Sequence, residues 1–241
     1  MGRAVRAATA VAAAILVSIA TQAGAAEEIA RAQPAGGAAF DYLLTSQPGP
    51  ARYAVILMPG GRGILNPRIE NGRIAVALGG NFLIRSRGLF ADGEFVAAST
   101  DATTTPDRIL AIVNDLQRRF GSQLQVYVLG TSRSTESTMA LAAPLDGRVA
   151  GFVHSSSMNG IASLDPRRYR SRHLIVYHRR DACYATRPSA GAASAASYGT
   201  DTIEMEGGTS IGGDCDAYAP HGCNGIERET VDRIKAWIAK G

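Results

Sequence analysis

Only four histidines, three cysteines and one tryptophan occur among the 241 residues, and several classes of chemistry are excluded by what is missing. There is no Cys-x-x-Cys and no His-x-x-x-His spacing, so the usual zinc ligand sets are not present and no metal is expected. No nucleotide-cradling loop or other cofactor motif is found, and no cofactor is expected. Arginines are scattered, without a basic run or interleaved aromatics, so the chain carries no nucleic-acid footprint. No internal repeat is visible. The one long apolar run, Ala7 to Ala20, is shorter than the ~20 residues that a membrane-spanning helix needs.

What surrounds that run gives it a meaning. Arg3 and Arg6 precede it, Ala23-Gly24-Ala25 follows it, and Glu27-Glu28 comes next, which is the layout of a secretory leader. Residues 1–25 are therefore expected to be removed, with no stable membrane insertion afterwards and a periplasmic or extracellular destination. No cysteine lies near the cut to suggest lipoprotein processing. With Arg3 and Arg6 gone, the excess of basic over acidic residues falls from four to two, and a small or uncharged ligand fits better than a polyanion. Export also means an oxidising compartment, where two of Cys183, Cys215 and Cys223 can pair. The residues alone do not select which two.

The remaining chain reads as a poorly ordered lead-in over residues 26–38 and one domain over 39–241. Apolar runs at Phe40–Leu44, Tyr53–Met58, Phe95–Ser99, Val126–Leu129, Val149–His154, His173–His178 and Thr202–Met205 predict strands, with a short one at Arg73–Leu78. Helices are predicted over Phe82–Phe90 and from Thr105-Pro106 to Gly121, where threonine provides the cap and Ile109, Ile112, Val113, Leu116 and Phe120 share one face. Two more are predicted at Thr135–Ala143 and around Val231, Ile234 and Ile238. Strands alternating with helices imply a mostly parallel sheet covered on both faces.

One strand end stands out. Val126 to Leu129 runs into Gly130-Thr131-Ser132-Arg133-Ser134. A strand that turns sharply into a helix exposes the apex side chain, here Ser132, and needs small residues on either side. Gly130 and Ser134 meet that need. A serine nucleophile requires a base and a third group to hold the base. His154, His173 and His178 sit at the ends of apolar runs and read as strand-end polar residues. His221 lies instead in the loop before the last helix, at the carboxyl edge of a parallel sheet, as Ser132 does. Asp181 follows a strand at the same edge and gives the order Ser, Asp, His. Asp165 is its strongest rival, ahead of Asp201, Asp214 and Asp216. Oxyanion donors are expected from the amides of Arg133 and of Gly61, in the Pro59-Gly60-Gly61-Arg62 turn.

These residues resemble the α/β-hydrolase superfamily from about Tyr53 onward. More narrowly, Gly-Thr-Ser-Arg, then His178-Arg-Arg-Asp-Ala-Cys183, Cys215 and His221-Gly-Cys-Asn-Gly-Ile-Glu227 are similar to small exported bacterial hydrolase-like proteins. The resemblance implies an α/β-hydrolase fold and pairs Cys183 with Cys215, leaving Cys223 free. The chain departs from that group in Ser134, where glycine is common, and in Cys223, where an aromatic is common. A Cys183–Cys215 bond would tie the acid loop to the histidine loop and stabilise the fold by ~3 kcal/mol. The short segment between Val149–His154 and His173–His178 leaves no room for a large lid, so a small or accessible polymeric ester is the expected substrate. A thioesterase or peptidase could use the same groups. The competing class is a cell-envelope binding protein that keeps the fold without turnover.

Overall fold

Tyr53–Met58 forms strand β3, buried along its whole length. Its alternate residues supply two cores: Ala54, Ile56 and Met58 face one side, while Tyr53, Val55 and Leu57 face the other. A strand without a polar face is stable only between two covering layers, and β3 sits near the middle of an eight-stranded sheet. The computed structural model describes residues 1–2 and 24–241. The expected leader falls mostly on residues 3–23 and lies outside the described residues. Among the described residues, no helix is long and apolar enough to cross a membrane.

The remaining strands of this sheet are β1 (Ala26–Ala32), β2 (Phe40–Ser46), β6 (Phe95–Ser99), β7 (Gln125–Thr131), β8 (Gly151–Ser155), β9 (Arg172–His178) and β10 (Asp201–Met205). They run in the order β1-β2-β6-β3-β7-β8-β9-β10. β1 pairs antiparallel with β2 and β2 antiparallel with β6, while every pair from β6 to β10 is parallel. The loops after the parallel strands therefore gather at one edge. One face is covered by α3 (Pro106–Phe120), through Ile109, Ile112 and Leu116, and by α4 (Ser134–Ala142), through Leu141. α1 (Phe82–Arg85), α2 (Arg87–Phe90) and α6 (Glu227–Ala239) cover the other, through Phe82, Phe90, Val231, Ile234 and Ile238.

Several expectations are corrected. Residues 26–32 are not a loose lead-in but the edge strand β1, held in full register against β2 and anchored by Glu27 on Arg87 and Glu28 on Arg119. The helix expected over Phe82–Phe90 breaks at Ser86 into α1 and α2. The strand expected at Arg73–Leu78 stops at Ala75. It is β5 (Arg73–Ala75), which pairs with β4 (Arg68–Glu70) in a separate ribbon, and Leu78 turns into the left-handed region at φ +54°. Thr105 stands at the cap position of α3, but its side chain makes no capping hydrogen bond. One helix, α5 (Pro188–Tyr198), was not predicted: its small-residue sequence has no apolar stripe. Between β8 and β9, residues 156–171 hold two short 3-10 turns and no further helix or strand.

Candidate active site

The turn from β7 to α4 is sharp. Ser132 has φ +54°, a left-handed conformation that costs a non-glycine residue of order 1 kcal/mol and is tolerated where the surroundings enforce it. Its N–H donates to the Ser155 carbonyl at 2.9 Å, pinning the apex to β8. Gly130 cannot carry a side chain, because a Cβ there would lie 2.6 Å from the Ser134 carbonyl oxygen. Gly60, from the loop after β3, approaches as closely: a Cβ would lie 2.7 Å from the Thr131 carbonyl oxygen and 2.9 Å from Ser132 Cβ.

Ser134 takes the place of the usual glycine and puts its side chain to use. The buried hydroxyl accepts the Thr131 N–H at 2.8 Å and donates toward the Met58 carbonyl, also at 2.8 Å. It thus ties the ends of β7 and β3 together beneath the apex, and the departure from the common pattern leaves the turn intact.

The elbow and the glycine turn bring two amides into the same region. Among the described residues, neither the Gly61 N–H nor the Arg133 N–H has an acceptor in the protein. Ser132, Gly60, Gly61 and His221 line one cavity of about 210 Å³, together with Leu78, Asn81 and the segment Cys215–Ala217.

His221 sits on a 3-10 turn, Pro220–Gly222, and is 6% exposed. Its Nδ1 donates to Asp181 Oδ2 at 3.0 Å, which leaves Nε2 as the nitrogen with a free lone pair. Asp181 lies just beyond β9, with its side chain wholly buried. Its second oxygen accepts the Cys183 N–H at 2.9 Å. The Thr186 hydroxyl donates to Oδ2 at 3.0 Å and lies 3.0 Å from His221 Nδ1. The buried carboxylate accepts from three donors, the His221 ring, the Thr186 hydroxyl and the Cys183 amide, and among the described residues it has no arginine or lysine partner. Just after β8, the Ser156 hydroxyl donates to the His221 carbonyl at 2.6 Å and fixes the turn that carries the ring. Thr186 and Ser156 carried no signal in the sequence. Among the described residues, Ser132 Oγ makes no hydrogen bond, and the His221 ring makes its contacts through Nδ1.

The rival carboxylates are engaged elsewhere. Asp165 binds the Arg167 guanidinium at 2.7 and 2.9 Å, and this pairing holds its carboxyl below the usual range. Asp201 accepts the Trp237 indole N–H, and Asp216 accepts the Gly213 N–H while lining the cavity. Asp214 is exposed.

The other histidines are engaged away from this cavity. His178 bridges the Gly207 carbonyl and the Arg180 amide. His154 and His173 form a buried pair, 3.1 Å apart between Nε2 and Nδ1, and burial drives both rings toward the neutral form.

Cys183 is bonded to Cys215 across 32 residues, joining the loop after Asp181 to the wall of the cavity. Cys223 is free and buried, its thiol pushed up to about 12 by desolvation. The donor atoms of Asp181, Cys183 and His221 lie within 4.8 Å of one another. The Cys183 sulfur is consumed by the disulfide, however, so the cluster offers two ligands where zinc takes three or four from protein. A larger cavity of about 820 Å³ along α6 contains none of these residues.

No family model matches the chain. No curated protein matches it in sequence. The comparison with solved structures is different. A dienelactone hydrolase from Anabaena variabilis superposes with a TM-score of 0.61 at 11% identity, over 90% of this chain and 99% of its own. The chain has the α/β-hydrolase fold. An α/β serine hydrolase without lid from Xanthomonas campestris matches 86% of this α/β-hydrolase-fold chain and 94% of its own, with a TM-score of 0.54 at 10% identity. The esterase domain of a Rhodothermus marinus protein matches 88% and 97%, with a TM-score of 0.58 at 9% identity.

Proposed function

We propose that the chain is an exported serine hydrolase that cleaves an ester through an acyl-enzyme on Ser132. The observation that carries this reading is the His221–Asp181 hydrogen bond at 3.0 Å, in a buried loop pair whose histidine lines one cavity with the half-buried apex of the serine turn. The Cys183–Cys215 bond agrees with an oxidising compartment, and the esterases among its structural neighbours agree with the reaction class.

In this mechanism His221 Nε2 takes the proton of Ser132 Oγ as that oxygen attacks the ester carbonyl carbon. Asp181, held by Thr186 and the Cys183 amide, fixes the tautomer and stabilises the imidazolium. The oxyanion accepts the N–H groups of Gly61 and Arg133. His221 then returns the proton to the leaving alkoxy oxygen, and the alcohol departs. Water, deprotonated by the same nitrogen, attacks the acyl-serine, the bond from the acyl carbon to Ser132 Oγ breaks, and His221 returns the proton to that oxygen. The products are the acid, the alcohol and free Ser132, with no net change in the enzyme. Ser132 Oγ and Nε2 must meet in the substrate complex, a contact that is commonly loose in free enzymes.

Covalent labelling of residues 26–241 by a fluorophosphonate tests the proposal. Labelling should vanish in Ser132→Ala and fall strongly in His221→Ala. A folded wild type that does not label, or a Ser132→Ala variant that labels equally, would overturn it.

A further inference from the structure

The two turns whose amides are proposed to hold the oxyanion also set two side-chain charges beside it. Arg133 follows Ser132 directly, and Arg62 follows Gly61. Both line a second cavity of about 210 Å³, which shares Gly61 with the cavity of Ser132 and His221. Arg62 and Arg133 are exposed, and among the described residues neither has an ion-pair partner, although fifteen other arginine or lysine contacts to carboxylates are formed. One carboxylate, Glu136 in the first turn of α4, lines the same cavity, so its fixed side chains carry one net positive charge. The opposite flank is different. Around His221 the wall is Cys215, Asp216 and Ala217, and the one carboxylate or guanidinium among the lining residues is the acidic Asp216.

This asymmetry orients an ester. His221 must protonate the leaving oxygen, so the alcohol lies on the His221 and Asp216 side. The acyl chain then extends past Gly61 toward the two guanidinium groups. Resting on the serine-hydrolase reading, we infer that the Arg62–Arg133 cavity is an acyl subsite for a carboxylate, and that the preferred substrates are esters whose acyl part bears a free acid group, such as hemiesters of short dicarboxylic acids. Each exposed guanidinium–carboxylate contact is worth roughly threefold, and the pair about tenfold. Asp216 disfavours an anionic alcohol.

The test compares p-nitrophenyl hemiglutarate with p-nitrophenyl pentanoate, which has the same five-carbon acyl chain without the carboxylate. At low ionic strength the ratio of kcat/KM values should be about ten for the wild type, and roughly 0.5 M salt should compress it. Arg62→Gln should lower the ratio about threefold, Arg62→Lys should recover most of it, and Glu136→Gln should raise it. The Arg62→Gln, Arg133→Gln double variant should bring it to about one. A wild-type ratio of one or less, or a ratio unmoved by both glutamine variants, overturns the subsite. If the pentanoate is still hydrolysed by a Ser132-dependent route, the hydrolase reading survives that failure. If neither ester is cleaved and fluorophosphonate leaves Ser132 unlabelled, both readings fall together.

Discussion

Thr186→Val removes one hydroxyl from the centre of the proposed triad while keeping the volume of the side chain. Asp181 Oδ2 loses the donor at 3.0 Å and keeps His221; Oδ1 keeps the Cys183 amide. A hydrogen bond to a charged group is worth about 1.5–3 kcal/mol, and here no water can replace it, because Thr186 is 2% exposed and the Asp181 side chain is fully buried. Taking about 2 kcal/mol, the melting temperature should fall by roughly 4–8 °C for a domain of this size. The catalytic loss has a separate origin. A carboxylate with one donor fewer holds the imidazole less firmly in the orientation that points Nε2 at Ser132, and a similar energy lost only in the transition state lowers kcat by about 10- to 30-fold with KM nearly unchanged. Thr186→Ser restores the hydroxyl and should recover kcat to within about threefold of wild type. Steady-state hydrolysis of p-nitrophenyl pentanoate and thermal melts of the three proteins give both numbers. A Thr186→Val protein with wild-type kcat, or a serine variant as slow as the valine variant, would refute the positioning role.

Two further outcomes follow from the site and the core. Asp181→Asn should reduce kcat by at least about 10³-fold by disturbing the His221 tautomer, while Asp165→Asn loses only a surface pairing with Arg167 and should stay within about twofold of wild type; the reverse ranking in steady-state assays would move the acid to Asp165. Burial lowers His173 from 6.5 to about 4, with Asp146 pulling weakly the other way. The ring is therefore neutral in the folded chain and charged in the unfolded one between those values, so the unfolded state binds more protons and stability falls as pH drops through that window. The loss should approach about 3 kcal/mol by pH 4, with His154 acting in the same direction. Urea midpoints from pH 7 to pH 4 should fall less steeply for His173→Phe than for wild type, and parallel slopes would show that the buried pair does not set the acid limit.

The sequence made the central architecture legible where one segment carries enough information by itself. Tyr53–Met58 and Val126–Leu129 are apolar on both alternating faces, and only a doubly covered parallel sheet satisfies them. The elbow at Ser132 was visible because strain demands small residues locally. β1 was not visible: Glu27, Glu28 and Arg31 give it a polar reading, and it becomes a strand because β2 supplies the ladder and Arg87 and Arg119 supply counter-charges. α5 was missed for the opposite reason, since Ala190, Gly191 and Ser194 pack closely without any apolar stripe to mark them.

The sequence by itself therefore determined the parallel α/β layering, the serine turn, the glycine turn after β3 and the histidine loop, because each depends on residues within a few positions of one another. Only the tertiary structure decided that Asp181 and not Asp165 meets His221 across 40 residues, that Thr186 and Ser156 hold that pair, that Ser134 braces the elbow against β3, and that Arg62 and Arg133 share a cavity. Those relations join segments far apart in the chain, and they come into being when the strands align their carboxyl ends at one edge of the sheet.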